Sequence, residues 1–172
     1  SPANLSDWGN LVFVEHEAEV EEARLLGMHS LVRIDKLLFN KTESGSFKGS
    51  LRSDAEEVWA RFVPNATRML ASSAIGFNLG DELVDDGVPV EEVEAAAAMV
   101  RRSFPSAVVW VNAAGWAVAG ECRPEHMGQY PDWRRGCNAS SVWPRIPPSV
   151  TWFSIDCAPS ESTVPFSSHL WS

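Results

Sequence analysis

Residues 75–87 read IGFNLGDELVDDG, an apolar run that ends abruptly at Gly80, Asp81 and Glu82. A short apolar run bounded by turn residues is typical of a buried strand, so the two adjacent carboxylates are predicted where a strand ends. We interpret this pair as candidate catalytic residues at the carboxyl end of a strand. The alternative interpretation is that the carboxylates cap the following helix or lie in a solvated turn.

Four other stretches share this short apolar character, and helical patterns or a long loop separate them. They show little strict alternation of apolar and polar residues, as expected for parallel strands that are covered on both faces. This order predicts an α/β fold with a parallel sheet and right-handed crossovers. The five predicted strands are NLVFVEH (10–16), SLVRIDKLLF (30–39), IGFNLGDEL (75–83), AVVWVNAAG (107–115) and VTWFSIDCA (150–158).

Two α/β architectures fit this order, a β/α barrel and an open doubly wound sheet. Open sheets that bind nucleotides usually carry a glycine-rich turn after a strand, and these strand ends carry none of the known patterns. Polar residues recur instead at the predicted carboxyl ends, and a barrel gathers such ends into one mouth. These residues are Glu15, His16, Asp35, Asp81, Glu82, Asn112 and Asp156.

The sequence therefore predicts a parallel β/α (TIM-type) barrel that forms a single domain over residues 1–172. A complete barrel of this type has eight strands, whereas the chain offers about five β/α units. We expect an incomplete barrel, which either continues beyond this chain or contains strands that the pattern does not reveal. The opening SPANLSDWG has neither an initiator Met nor a signal-like apolar core, which also suggests a processed protein or a fragment.

The composition limits the classes of partner that this chain can have. Its 172 residues carry 14 basic and 23 acidic side chains, a net charge of −9 that disfavours nucleic acid, because phosphate backbones are bound by Lys and Arg. No apolar run is long enough for a membrane helix, so we expect no membrane partner. No metal-ligand spacing or cofactor motif is found, so we expect neither a metal nor a cofactor.

Two features predict an extracytoplasmic setting. Four asparagines begin an N-x-[ST] triplet, the acceptor pattern for N-glycosylation, and these are Asn4, Asn40, Asn65 and Asn138. Cys122 and Cys137 lie in one polar stretch, where a disulfide could staple the loop in an oxidising compartment. We therefore expect a secreted glycoprotein, against the alternative that the triplets arise by chance in a serine-rich chain.

The long connection over residues 113–149 follows the strand that carries Asn112. Long loops are uncommon in compact domains and are often functional. The loop contains Trp116, Tyr130, Trp133 and Trp143, whose flat apolar rings could contact the apolar face of a sugar. The alternative is that these rings form a small core within the loop.

Glycoside cleavage needs a general acid and a second carboxylate on the other side of the scissile bond. Glu82, Asp81 and Asp156 offer carboxylates at strand ends, and Asn112 offers a neutral donor. The G-D-E strand end, the later W-V-N strand and the W-F-S-I-D strand resemble those of glycoside hydrolase TIM barrels. The chain is particularly similar, over roughly residues 10–158, to uncharacterised glycosidase-like barrel proteins.

This resemblance implies roles for individual residues. In the clan of retaining glycosidases with this barrel, the acid/base Glu follows an Asn at the end of the fourth strand, which assigns that role to Glu82. Asp81 stands where the clan has Asn, and the clan's nucleophile strand has no counterpart here. We expect Asp81, Asn112, Trp116 and Asp156 to bind substrate.

The leading hypothesis is thus a carbohydrate-active hydrolase, or a piece of one, with carbohydrate as its partner. A second hypothesis is a non-catalytic carbohydrate-binding relative that uses the Trp-rich loop. A third is an open-sheet enzyme acting on a phosphorylated metabolite, although the absence of a glycine-rich phosphate cradle and the negative net charge count against it.

Overall fold

A computed structural model describes residues 10–40, 49–84, 87–114 and 146–156 of the chain. Several predicted features lie outside these ranges: Trp116 and the other loop aromatics, Cys122, Cys137, Asn4 and Asn138. The described elements are, in chain order, β1 (Leu11–Val14), α1 (Glu17–Leu25), β2 (His29–Arg33), α2 (Asp35–Leu38), β3 (Phe39–Asn40), β4 (Ser50–Leu51), α3 (Ala55–Ala71), β5 (Ala74–Asp81), α4 (Val90–Ser103), β6 (Val108–Ala114) and β7 (Trp152–Asp156).

Five of these strands form one parallel sheet in the order β1-β2-β5-β6-β7. Each strand lies next to the sheet strand that precedes it in the chain, and every pairing is parallel. The α/β fold with a parallel sheet is therefore confirmed, and all five predicted runs contribute one strand each. Because the strands are parallel, their carboxyl ends lie at one edge of the sheet, where the candidate residues were predicted.

The second predicted strand is shorter than its apolar run. The run was predicted to extend over residues 30–39, but β2 ends at Arg33 and the chain turns into α2 at Asp35. Phe39 then begins a two-residue strand that pairs with Leu51 of β4 in an antiparallel hairpin. The prediction was wrong in its length because Leu38 and Phe39 are apolar for a different reason, which is their burial in the core beneath the sheet end.

One face of the sheet packs against the helices, and we call it the helix face. Val14, Val32, Phe77 and Val109 lie in register on successive strands of this face. They belong to the same buried cluster as apolar side chains from α1, α2, α3 and α4. Trp59 of α3 is central to this core, since its ring meets Phe77 edge-on at a centroid distance of 5.5 Å.

The core also explains why α3 runs without a break through Pro64. A proline inside a helix removes one backbone hydrogen bond and usually kinks or ends the helix. Trp59 and Ala66 are buried on either side of Pro64, and the Trp59 Nε1 group donates to Ser103 Oγ of α4 at 3.0 Å. This packing holds both halves of the helix in place, so one helix continues across Pro64.

The opposite face of the sheet carries the alternate residues of the same strands, and we call it the tryptophan face. Residues adjacent in a strand point to opposite faces, so the neighbours of helix-face Phe77 and Val109 point here. The tryptophan face includes Phe13, Leu31, Arg33, Gly76, Asn78, Trp110, Asn112, Trp152 and Ser154. It differs from the helix face in exposing aromatic rings, since Phe13 is 42% and Trp152 45% exposed.

Glu19 stabilises the turn between β1 and α1. Its carboxylate accepts hydrogen bonds from the backbone N–H groups of Glu15 and His16, at 2.6 and 3.1 Å. The bond from Glu15 is the main reason that the pKa of Glu19 lies below its ordinary value, with the bond from His16 adding to it.

We expect Glu19→Gln to lower the free energy of unfolding by less than about 1 kcal/mol, since Gln keeps an acceptor but not the charge. A carboxylate with a lowered folded-state pKa stabilises the fold above its ordinary pKa, and that stabilisation is lost as pH falls through the folded value. The difference between wild type and variant in urea unfolding should therefore be present at neutral pH and disappear in acid. A difference that is independent of pH would contradict this account.

Candidate active site at the carboxyl ends of the strands

The turn after β5 has an unusual backbone that presents Glu82. Gly80 has a φ of 152° and Glu82 a φ of 52°, and the latter is uncommon for a residue with a side chain. A Cβ at Gly80 would lie 2.7 Å from the Leu83 side chain, so this contact and the positive φ together favour glycine. The Glu82 N–H group donates to the carbonyl of Asn112 on β6 at 3.1 Å, which ties the turn to the neighbouring strand. Such strained positions concentrate at functional sites.

Three side chains form a hydrogen-bonded row beside this turn. Asn112 Nδ2 donates to Asp81 Oδ1 at 2.7 Å, and Ser154 Oγ donates to Asn112 Oδ1 at 2.6 Å. The three residues lie opposite one another on β5, β6 and β7. Because a carboxylate accepts hydrogen bonds, the Asn112 nitrogen faces Asp81 and its oxygen is left to accept from Ser154. The row therefore holds an exposed Asp81 carboxylate through a buried amide.

A second polar cluster lies at the ends of β1 and β2. The Arg33 guanidinium lies 3.8 Å from Glu15 and 3.5 Å from the buried carboxylate of Asp35, and Lys36 lies 3.5 Å from Glu15. Most of these side chains are partly exposed and their separations are long, so the pairs are weak in water. Glu15 and Asp35 thus engage local cations, while His16 precedes α1 as its N-terminal boundary residue.

The predicted site residues are only partly brought together among the described residues. Asp81 and Asn112 are bonded to each other, and the Glu82 backbone is bonded to Asn112. The backbone of Asp156 lies opposite Ala114 at the end of β7, two residues after Ser154. Trp116 is outside the described residues.

The sequence interpretation missed Ser154, Asn78 and the two face tryptophans, Trp110 and Trp152. The signal that could have found them is strand alternation outward from Phe77 and Asn112. Residues separated by two positions on a strand share a face, so Trp110 goes with Asn112, and Trp152 goes with Ser154. Apolar residues on both faces, such as Val109 and Trp110, obscure that alternation in the sequence.

The described part of the chain shows neither a metal-binding cluster nor a membrane-spanning helix. No group of three or more His, Cys, Asp or Glu side chains in these ranges could hold a metal ion. No helix within the same ranges is both long and apolar enough to cross a membrane.

Asn112 should be the residue of this row on which stability depends most. Asn112→Ala removes the partner of both Asp81 and Ser154 at a buried position, so we expect a loss of about 1–3 kcal/mol in the free energy of unfolding. Exposed Asn40 provides the control, because Asn40→Ala should change stability by no more than about 0.5 kcal/mol. Chemical denaturation of both variants checks this, and equal stabilities would mean that the row is held by other contacts.

Comparisons with known proteins were made at three levels. No protein-family model, no curated protein and no solved structure matches this chain.

Proposed function

We propose that this chain is a carbohydrate-active hydrolase, or a part of one, with Glu82 as the general acid/base at the end of β5. In this proposal Asp81 and Asn112 position the sugar, and Asp156 on β7 shapes the same pocket. The proposed architecture is a TIM-type barrel to which the five parallel strands belong.

The topology of the sheet supports the barrel. A barrel needs strands added in chain order with the helices on one side, whereas an open doubly wound sheet reverses its order and carries helices on both faces. Here the order β1-β2-β5-β6-β7 has no reversal, and α1, α3 and α4 share one core with the helix face. These features favour the barrel over the open sheet in the described part of the chain.

The observation that carries the functional proposal is the Asp81–Asn112–Ser154 row beside the turn at Glu82. A carboxylate and an amide held in fixed orientations at a sheet edge can bind sugar hydroxyl groups by accepting from and donating to them. Three neighbouring strands hold them, and sites on such rigid elements keep reacting groups in place. The clustering of acidic side chains at this edge also argues against a phosphorylated substrate, which would be repelled.

Hydrolysis of defined glycosides tests this proposal. The chain would be incubated with a panel of aryl glycosides and β-linked and α-linked oligosaccharides, and released sugar would be measured. The proposal expects turnover of at least one member and loss of turnover in Asp81→Ala. Binding without turnover would instead favour the non-catalytic carbohydrate-binding relative. The absence of both binding and turnover would contradict both hypotheses.

We also propose that the protein is secreted and glycosylated. Asn40 is exposed, as an acceptor must be. Asn65 is half-buried within α3, where its side chain accepts from Arg68 at 2.9 Å, so it is the weaker candidate. Expression in eukaryotic cells followed by enzymatic removal of N-glycans tests this point, since the mass should fall in wild type and fall by one glycan less in Asn40→Gln.

A further inference from the structure

Asn78 of β5 is a buried polar residue whose amide oxygen has no hydrogen-bond partner in the described part of the chain. Its side chain is only 5% exposed, and its Oδ1 atom is buried and unpaired. Buried polar atoms in folded proteins nearly always have a partner, because an unpaired acceptor loses its bond to water without gaining another. A bound water molecule or a ligand would supply the donor that this oxygen lacks.

The register of the sheet places Asn78 in a row that crosses the tryptophan face. Asn78 lies opposite Arg33 on one side and Trp110 on the other, and Trp110 lies opposite Trp152. One step toward the carboxyl ends, the same face carries Asp81, bonded to Asn112. The unpaired oxygen thus belongs to the face that bears the candidate active site.

The chemistry of this row changes steadily from one end to the other. Trp152 offers an aromatic surface that is 45% exposed, Trp110 a more buried one, and Asn78 an acceptor that lacks a donor among the described residues. An apolar plane next to a hydroxyl acceptor is complementary to a sugar, which has an apolar face and hydroxyl groups at its rim. From β7 to β5 the row spans two strand spacings, or about 10 Å. That span suits two linked sugar rings better than one.

The ring of Phe13 packs against Trp110, the neighbour of Asn78 in this row. Phe13 on β1 and Trp110 on β6 are separated by two strands, yet their ring centroids are 4.8 Å apart. The two rings therefore reach toward each other on the face that carries Leu31 and Asn78, both of which are buried. Phe13 is the more exposed partner, so we expect it to be the ring that a ligand displaces.

We propose that the row Trp152–Trp110–Asn78 is an oligosaccharide subsite, in which a sugar ring stacks on Trp152 and a hydroxyl of the next ring donates to Asn78 Oδ1. This inference rests on the proposed function, because it assumes that the ligand is a carbohydrate. It adds two points to the proposed function: the ligand spans two linked sugar rings, and Asn78 contributes to binding it. If the Asn78 amide serves to bind a ligand, its loss should leave folding intact and weaken binding.

The test measures stability and binding in Asn78→Leu, with Ser30→Ala as the matched control. Among residues 10–40, 49–84, 87–114 and 146–156, Ser30 carries the other buried unpaired side-chain atom. Its register partners Val12 and Ala74 belong to the helix-face packing, away from the proposed subsite. Leu has nearly the shape of Asn, so removing an unpaired oxygen should leave Tm unchanged or raise it by about 2–4 °C. Ser30→Ala should behave in the same way.

Binding then separates the two variants. Cellotetraose, xylotetraose and mannotetraose would each be titrated into the 172-residue chain by calorimetry. For the sugar that wild type binds, Asn78→Leu should lose about tenfold in affinity, the loss expected for one hydrogen bond, whereas Ser30→Ala should bind as wild type does. Trp152→Ala, which alters an exposed side chain, should also weaken binding while Tm stays close to that of wild type.

The possible outcomes distinguish this inference from the proposed function. If wild type binds a sugar and Asn78→Leu binds it equally well, the subsite is refuted and the proposed function stands. If Asn78→Leu fails to fold or melts well below wild type, the amide is structural and the subsite is refuted too. If wild type binds none of the three sugars but turns over a member of the glycoside panel, the subsite is refuted and the proposed function stands. If it neither binds these sugars nor acts on the panel, both fall together.

Discussion

Replacing Gly76 with alanine is expected to destabilise the fold severely. Gly76 lies on β5 directly opposite Val108 of β6, and a Cβ built on it would lie 2.0 Å from the Val108 carbonyl oxygen and 2.6 Å from its nitrogen. The obstructing atoms are backbone atoms in the middle of a sheet, so they cannot swing aside as a flexible side chain could. Strands β5 and β6 would have to separate locally.

The size of this effect follows from the usual penalty for overpacking, which reaches about 3 kcal/mol when only side chains must shift. We expect at least that loss for Gly76→Ala, which for a chain of this length lowers Tm by about 6–12 °C or more. Because domains are stable by only about 5–15 kcal/mol, this loss removes at least about a fifth of the total stability. Thermal denaturation followed by circular dichroism measures it.

Gly27 provides the matched control for this substitution. It follows α1 with a φ of 71°, and a Cβ there would meet no atom within 4 Å. Gly27→Ala should therefore lose only the backbone penalty of about 1–2 kcal/mol. If the two variants are equally stable, the close approach at Gly76 does not restrict the sheet, and the explanation by lack of space is wrong.

The existence and order of the five main strands could be predicted from the sequence, because each is a short apolar run between breakers. IGFNLGDEL is the clearest case, since its residues are apolar apart from Asn78 until the chain reaches Gly80 and the two carboxylates. The carboxyl ends also followed, because a parallel sheet leaves no choice about which edge they share. This is why Asp81 and Asn112 were correctly predicted at the same edge.

The details of the site depended on features that periodicity does not carry. The register shifts between Ser30 and Leu31 and again between Asn78 and Gly80, so the faces of later residues cannot be counted from the start of a strand. The end of β2 was misjudged for a related reason. Leu38 and Phe39 are buried in the core shared with the sheet, where α2 packs against α3 and β5, although neither residue belongs to a strand of that sheet. Burial in a helix or a strand requires the same apolar residues.

Glu82→Gln is expected to abolish most of the hydrolysis that the proposed function predicts. Gln keeps the size of the side chain but cannot donate a proton to the departing sugar oxygen, so the rate should fall by about 10²–10⁴-fold. The backbone N–H of Glu82 still donates to Asn112, so the turn and the binding of sugar should survive. Comparison of kcat/KM and of equilibrium affinity in wild type and variant separates loss of chemistry from loss of binding.

The leaving group provides the sharpest form of this test. A dinitrophenyl group departs as a stable anion and needs little protonation, whereas an alkyl group or a sugar needs a full proton from the acid. If Glu82 is the general acid, kcat/KM of Glu82→Gln should fall far less for a dinitrophenyl glycoside than for an alkyl glycoside. Exposed Glu91 on α4 supplies the control, since Glu91→Gln should leave both rates unchanged. Equal losses on both substrates would show that Glu82 acts elsewhere in the reaction, and wild-type rates on both would remove it from the mechanism.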